Sequence, residues 1–103
     1  MPTLTRPVAL NNNPNEGMKL LSSTLRHPAL CYSDADYRAE FCFNALVRYG
    51  YIPAQLNNVD DDTLIGMFAD VIDKHTGDVS PHVNYATAHE IAQEIFASLG
   101  YTM

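Results

Sequence analysis

The sequence of 103 residues lacks tryptophan and holds only two cysteines. Two cysteines are too few for the disulfide framework of a small secreted domain, so we expect Cys31 and Cys42 to be reduced thiols, although their spacing does not forbid a bridge. A membrane-spanning helix needs about 20 consecutive apolar residues, and the chain has no such stretch. Its opening residues also lack the apolar segment of a secretory signal. These absences predict a soluble, cytoplasmic protein.

Basic residues are scarce as well. Six lysines and arginines stand against twelve acidic residues, which gives a formal net charge of −6. Nonspecific binding to nucleic acids or anionic membranes needs clustered lysine and arginine, so we expect neither as a direct partner. The charge is uneven, because residues 1–30 hold three basic residues and one acidic residue, whereas residues 31–103 hold three and eleven. A weakly basic arm therefore precedes an acidic body.

The sequence patterns of metal, cofactor and catalytic sites are also missing. No pair of cysteines or histidines has zinc-binding spacing. Asn58, Asp60 and Asp62 alternate as in a calcium-binding loop, but Thr63 stands where the loop needs glycine and Ala69 where it needs a bidentate glutamate. The chain has no nucleophile elbow, no glycine-rich phosphate loop and no dinucleotide-binding fingerprint. We therefore expect no metal, no cofactor and no enzymatic activity.

Apolar residues at helical spacing are what the sequence does contain, within a hydrophobic content of 47%. They predict an all-α protein, with an extended, Pro- and Asn-rich arm at residues 1–14 and a single four-helix domain at residues 15–103. The first helix is expected at residues 15–27. Its predicted buried face contains Met18, Leu21 and Leu25.

The second helix, expected at residues 34–49, is apolar around most of its circumference, so we predict that it is the central helix. The third is expected to begin at residues 60–62 and to end at residue 75. The fourth has two candidate N-caps, which are Ser80 with Pro81 at the first helical position, or Asn84. Its predicted buried face contains Ala88, Ile91, Ala92, Ile95, Phe96 and Leu99.

Two surface features indicate binding to another protein. Six aspartates and one lysine lie between positions 60 and 78, which predicts an acidic face for a basic partner. The aspartates are Asp60, Asp61, Asp62, Asp70, Asp73 and Asp78. Arg48, Tyr49 and Tyr51 form a second candidate patch, because tyrosine and arginine are favoured at interface hot spots. Aromatic residues at helical spacing usually belong to the core, so the favoured interpretation is that most of the tyrosines close the core of a small bundle with their hydroxyls at the surface.

Three functional hypotheses follow. The first is a small acidic accessory protein, of the kind that phages and other mobile elements encode, which binds and inhibits or otherwise modulates a host macromolecule in the host cytoplasm. The second is a structural subunit of a homo-oligomer or virion, assembled through the arm at residues 1–14. The third is a small-ligand or nucleotide binder that uses Arg38, Arg48 and nearby tyrosines. The first hypothesis follows by elimination, because the sequence disfavours catalysis, metal binding and nucleic-acid binding, and its acidic face would meet a basic surface of the partner.

Overall fold

The computed structural model of this chain describes residues 13–53, 56, 58–77 and 83–101. These residues form four α-helices and a short 3₁₀ helix, which confirms the all-α prediction. The helices are α1 (Pro14–Leu25), α2 (Ala35–Arg48), α3 (Asp61–Thr76) and α4 (Tyr85–Ser98), and the 3₁₀ helix spans Pro28–Leu30. Residues 1–12, most of the predicted arm, lie outside the described residues. No helix in the described ranges has the length and apolar character needed to cross a membrane.

Side-chain caps mark where α1 and α4 begin. The Asn13 side chain accepts the backbone N–H of Asn15 at 3.0 Å, and Pro14 occupies the first helical position of α1. The last two residues of the predicted arm therefore belong to the start of this helix. At α4, the Asn84 side chain accepts the Thr87 N–H at 2.8 Å. The N-cap of α4 is therefore Asn84, the later alternative to the predicted start at Ser80 and Pro81, two residues that lie outside the described ranges.

The four helices pack as a ring, in which α1 and α3 each contact both α2 and α4. Helix α2 therefore forms one side of the ring. Part of its surface is exposed to solvent, although its sequence is apolar around most of the helix. Ala39, Cys42, Phe43 and Leu46 are buried, but Tyr37 on the same helix is 48% exposed. A tyrosine ring can cover apolar surface while its hydroxyl stays in water, so a stripe that contains tyrosine need not face the core. The predicted buried faces of α1 and α4 are confirmed in full.

Helices α2 and α4 end in the same hydrogen-bonded turn. After α2, the Tyr51 N–H donates to the Leu46 carbonyl at 2.8 Å, and Gly50 between them has a φ of 79°. After α4, the Tyr101 N–H donates to the Phe96 carbonyl at 3.2 Å. Both turns are Schellman motifs, which need a residue in the left-handed region and so favour glycine. The Tyr101 hydroxyl then donates to the Tyr51 carbonyl at 2.5 Å, which joins the ends of the two helices.

Gly17 allows α1 to lie directly against these aromatic rings. Phe96 packs against Tyr51 and Tyr101, with centroid distances of 6.0 and 4.9 Å, and we name these three residues the aromatic cluster. A Cβ atom added at Gly17 would lie 2.4 Å from Phe96 Cζ and 2.9 Å from Tyr51 Cδ1. Carbon atoms in contact normally lie about 3.5–4.0 Å apart. The close approach of α1 to the aromatic cluster therefore requires glycine at position 17.

Two glycine substitutions test this packing, and they should change the free energy of unfolding in opposite directions. Gly17→Ala is expected to lower the free energy of unfolding by about 1–3 kcal/mol, the usual cost of overpacking a core. Gly66 is the matched control, because it is exposed within α3 and an added Cβ would meet no neighbouring atom within 4 Å. Gly66→Ala should raise the free energy of unfolding by about 0.5–1 kcal/mol, since alanine favours a helix. Urea unfolding measures both changes, and a stabilised Gly17→Ala variant would contradict the close approach.

Candidate functional site

Aspartates from two helices converge on one exposed surface. Asp34 and Asp36 lie at the start of α2, and Asp70 and Asp73 lie one turn apart on α3. With two alanines they line a shallow pocket of about 330 Å³, which we name the acidic pocket. All four aspartates are exposed. The structure therefore joins two members of the predicted acidic face to two aspartates that are not part of that prediction.

Capping explains why α2 contributes to the acidic pocket. The Asp34 side chain accepts the Tyr37 N–H at 2.8 Å as the N-cap of α2, and Asp36 lies in the first turn. Both positions favour a carboxylate, because the N-terminus of a helix carries a partial positive charge. In the sequence, Asp34 is recognisable only as a cap. Across the described ranges, no three His, Cys, Asp or Glu side chains are grouped so as to hold a metal ion.

The other predicted aspartates lie elsewhere. Asp60 is the N-cap residue of α3, and Asp61 and Asp62 lie in the first turn, where they complement the helix dipole. At 1.5 Å per residue, Asp62 lies roughly 12 Å from Asp70 along the helix axis. These three residues do not line the acidic pocket. Asp78 lies outside the described residues.

The predicted patch of Arg48, Tyr49 and Tyr51 is divided between surface and core. Arg48 and Tyr49 are exposed and line a groove of about 480 Å³ between α1 and α2, which we name the α1/α2 groove. His27 and Phe41 also line it, with ring centroids 5.6 Å apart. Tyr51 is only 7% exposed and belongs to the aromatic cluster. The turn after α2 carries Tyr51 inward, which the periodicity of the helix does not indicate.

Arg38 is fully buried and so does not accompany Arg48 at the surface. Its Nη2 donates to the Leu30 carbonyl at 3.2 Å, and the same carbonyl accepts the Ser33 N–H at 3.1 Å. The second bond closes a β-turn in which Tyr32 has a φ of 61°, a position that normally favours glycine. Burial lowers the pKa of the Arg38 guanidinium, yet an arginine remains charged at neutral pH. Arg38 thus supports the turn that leads into α2.

A polar cluster joins the last turn of α3 to α4. The Glu94 carboxylate on α4 accepts a hydrogen bond from Lys74 and contacts the His75 ring. His75 Nδ1 also lies 3.8 Å from Glu90. The hydrogen bond from Lys74, followed by the one from His75, holds the pKa of Glu94 below its ordinary value. In the sequence, Lys74 and His75 are recognisable only as basic residues near a helix end.

Comparison of this chain with protein-family models, curated proteins and solved structures finds no match. The fold class also leaves function open, because small helical bundles host many unrelated activities. A functional conclusion therefore depends on the chemistry of the surfaces described above.

The two cysteines should differ sharply in reactivity. Both are reduced thiols, with Cys31 exposed and Cys42 buried in α2, where burial raises the pKa of the Cys42 thiol to about 12. Because the thiolate is the reactive form, we expect a thiol reagent to label Cys31 alone in the native protein and both residues after unfolding in urea. Cys31→Ser is the control and should show no native labelling. Rapid native labelling of Cys42 would contradict its burial.

Removal of the Glu94 carboxylate should cause a pH-dependent loss of stability. Since folding lowers the pKa of Glu94, its contribution is present above the unfolded pKa of about 4.3 and is lost as the pH falls through the lower folded value. Glu94→Gln should cost roughly 0.2–1 kcal/mol at neutral pH, the range of exposed ion pairs. Thermal unfolding across pH measures the difference from wild type, which should disappear in strong acid. A cost that persists there would indicate that Glu94 acts through packing.

The matched control for this experiment is Glu90→Gln. Glu90 lies on the same helix and also faces His75, but the separation is 3.8 Å and its side chain is 62% exposed. Its removal should therefore change stability less than the removal of Glu94.

Proposed function

We propose that this chain is a small acidic protein-interaction module that binds a basic surface of a protein partner through the acidic pocket. The observation that supports this proposal is the convergence of four exposed aspartates from α2 and α3 on one shallow surface. Such a surface creates a local negative potential, which steers a basic partner during encounter and fixes its orientation.

The residues that line the acidic pocket provide no cation to balance its charge, since they are four aspartates and two alanines. Lys74 directly follows Asp73, but its ammonium group pairs with Glu94 on α4. From the interior, the buried Arg38 guanidinium interacts electrostatically with Asp34. Solvent and counter-ions screen the exposed side of the aspartates, and the arginines or lysines of a partner would displace these ions. Because an exposed ion pair contributes only about 0.2–1 kcal/mol, stable binding also needs apolar contact.

The α1/α2 groove offers apolar contact of the kind that anchors a partner. Tyr49 is 52% exposed at its edge, Arg48 lies beside it, and the Phe41 ring lines the groove. Tyrosine and arginine are enriched among residues that dominate binding energy, because they bury a large area and keep a polar end. In this proposal the acidic pocket speeds the encounter with the partner, and contact with the α1/α2 groove slows its release. One partner can touch both surfaces, because each of them includes residues of α2.

The proposed cellular role is that of an accessory protein of a phage or another mobile element, which acts on a macromolecule in the host cytoplasm. Reduced Cys31 and Cys42 favour a reducing compartment. The low lysine content of the chain, two lysines, is compatible with such an accessory protein. Inhibition by covering a basic functional surface of the target is the mode of action that the acidic pocket supports.

Charge reversal in the acidic pocket tests this proposal. In Asp70→Lys/Asp73→Lys, a lysine at position 73 lies in the last turn of α3, where positive charge complements the helix dipole, so the fold should persist. We expect the affinity for a synthetic peptide rich in lysine and arginine to fall about tenfold or more at low salt, and its salt dependence to flatten. An NMR titration of the isotope-labelled chain measures the affinity and locates the contact.

Glu16→Lys/Glu90→Lys is the matched control, because it makes the same change in net charge at two positions outside the acidic pocket. Each of these glutamate side chains is 62% exposed. This control should weaken peptide binding only slightly, through the overall charge. Equal losses in the two double variants would assign binding to net charge and contradict a role for the acidic pocket.

A further inference from the structure

A second charged surface lies between α1 and α4. Eight residues line a groove of about 490 Å³, which we name the α1/α4 groove. They are Asn15, Met18, Lys19, Ser22, Ser23, Arg26, Tyr85 and His89. None of the eight carries a carboxylate, although the chain has twice as many acidic residues as basic ones. The α1/α4 groove therefore concentrates positive charge on an otherwise acidic protein.

Two cations lie along the α1 side of this groove. Lys19 lies on α1, and Arg26 is the C-cap residue of that helix, seven positions further on and roughly 10 Å away along the axis. Both side chains line the groove. The Lys19 side chain is 79% exposed, and its ion pair with Glu16 has a long separation of 3.9 Å. Solvent screens such a pair, so it leaves the Lys19 charge accessible to a ligand. His89 lines the groove from α4 and adds ring nitrogens to its polar lining.

Two sets of contacts hold Arg26 in place. Its backbone N–H donates to the Ser22 and Ser23 carbonyls, both at 3.2 Å. Its guanidinium lies 5.1 Å from the centroid of the Tyr85 ring, a cation–π contact. Tyr85 is 68% exposed, so its ring also offers apolar surface to a ligand. A cation that is already positioned loses less conformational entropy when it binds.

Serine hydroxyls lie close to the two cations. Ser22 is only 8% exposed and nevertheless lines the α1/α4 groove. On the same helix, Thr24 directs its hydroxyl back to the Leu20 carbonyl at 2.8 Å, whereas within the described residues no hydrogen bond of this kind engages the Ser22 hydroxyl. Among the described residues, the Ser22 hydroxyl is not one of the fully buried polar atoms that lack a partner, so it is not sealed in the core. It reaches the groove and can donate a hydrogen bond to a ligand oxygen.

We propose that the α1/α4 groove binds a small organic phosphate ester. Arg26 offers a planar set of donors for two phosphate oxygens, Lys19 adds a second charge, and the hydroxyls of Ser22 and Ser23 add neutral donors. The groove volume lies in the range of small-molecule pockets, about 300–1,000 Å³, so it also accommodates an organic group beside Tyr85. The site shares no residue with the acidic pocket and does not depend on the protein-interaction function.

Titration of the full chain with AMP, ribose phosphate, inorganic phosphate and adenosine, followed by NMR at low salt, tests this proposal. We expect saturable shifts of the Ser22, Ser23 and Arg26 amides with both phosphate esters and none with adenosine. Tighter binding of AMP than of ribose phosphate would assign the organic group to a nucleotide, and equal binding would assign it to a sugar phosphate. Inorganic phosphate that binds as tightly as the esters, or no saturable binding at millimolar concentrations, would overturn the proposal.

Three single substitutions complete the test. Arg26→Gln and Lys19→Gln should each weaken AMP binding about tenfold, because each removes a charged hydrogen-bond donor. Lys74→Gln is the matched control, since it removes a cation that is 62% exposed and lies outside the α1/α4 groove, and it should leave the affinity unchanged. Lys19→Gln changes a side chain that is 79% exposed, so it preserves the fold even if Arg26→Gln does not. Equal affinity in all three variants and wild type, or equal loss in all three, would overturn the assignment to this groove.

Discussion

The contact between Gly17 and the aromatic cluster sets how closely α1 approaches the rest of the molecule. Because no side chain separates the α1 backbone from Phe96, the two helices α1 and α4 come together at this point. Leu21 and Leu25, one and two turns further along α1, then reach the core and are buried. The same placement gives α1 a groove on each flank, one toward α2 and one toward α4. Both grooves therefore depend on a packing constraint in the interior.

Arg38 connects the acidic pocket to the interior in a similar way. Its guanidinium donates a hydrogen bond to the Leu30 carbonyl. The same carbonyl closes the β-turn through Tyr32, and this turn leads directly into α2. Desolvation of a buried cation is unfavourable, and the left-handed backbone at Tyr32 costs roughly a further 1 kcal/mol. The two hydrogen bonds to Leu30 offset part of these costs. Since Asp34 caps α2 directly after the turn, the turn fixes where Asp34 and Asp36 begin the acidic pocket.

Local sequence patterns are sufficient to predict the helices, but they do not predict the acidic pocket or the α1/α4 groove. Helix faces follow from apolar spacing, and helix ends follow from capping residues and glycine, since both depend on residues within about four positions of each other. The surfaces combine distant residues: the acidic pocket joins Asp36 to Asp70, and the α1/α4 groove joins Arg26 to Tyr85. No pattern within one helix specifies which helix lies beside it. The burial of Tyr51 is also not predictable from helix periodicity, although Tyr51 lies only three residues beyond α2. The turn that follows the helix carries this residue into the core.

The two charged surfaces lie on opposite sides of the ring of helices, one between α2 and α3 and the other between α1 and α4. Packed helices lie about 8–10 Å apart, and each is about 10 Å wide, so the surfaces are separated by roughly 20 Å. This separation exceeds the Debye length of about 8 Å at physiological ionic strength, so each surface then acts independently. At low ionic strength the Debye length grows to about 30 Å, and the acidic pocket repels an anion in the α1/α4 groove. Lowering the salt concentration should therefore raise the affinity for a phosphate ester by less than Lys19 and Arg26 alone would cause.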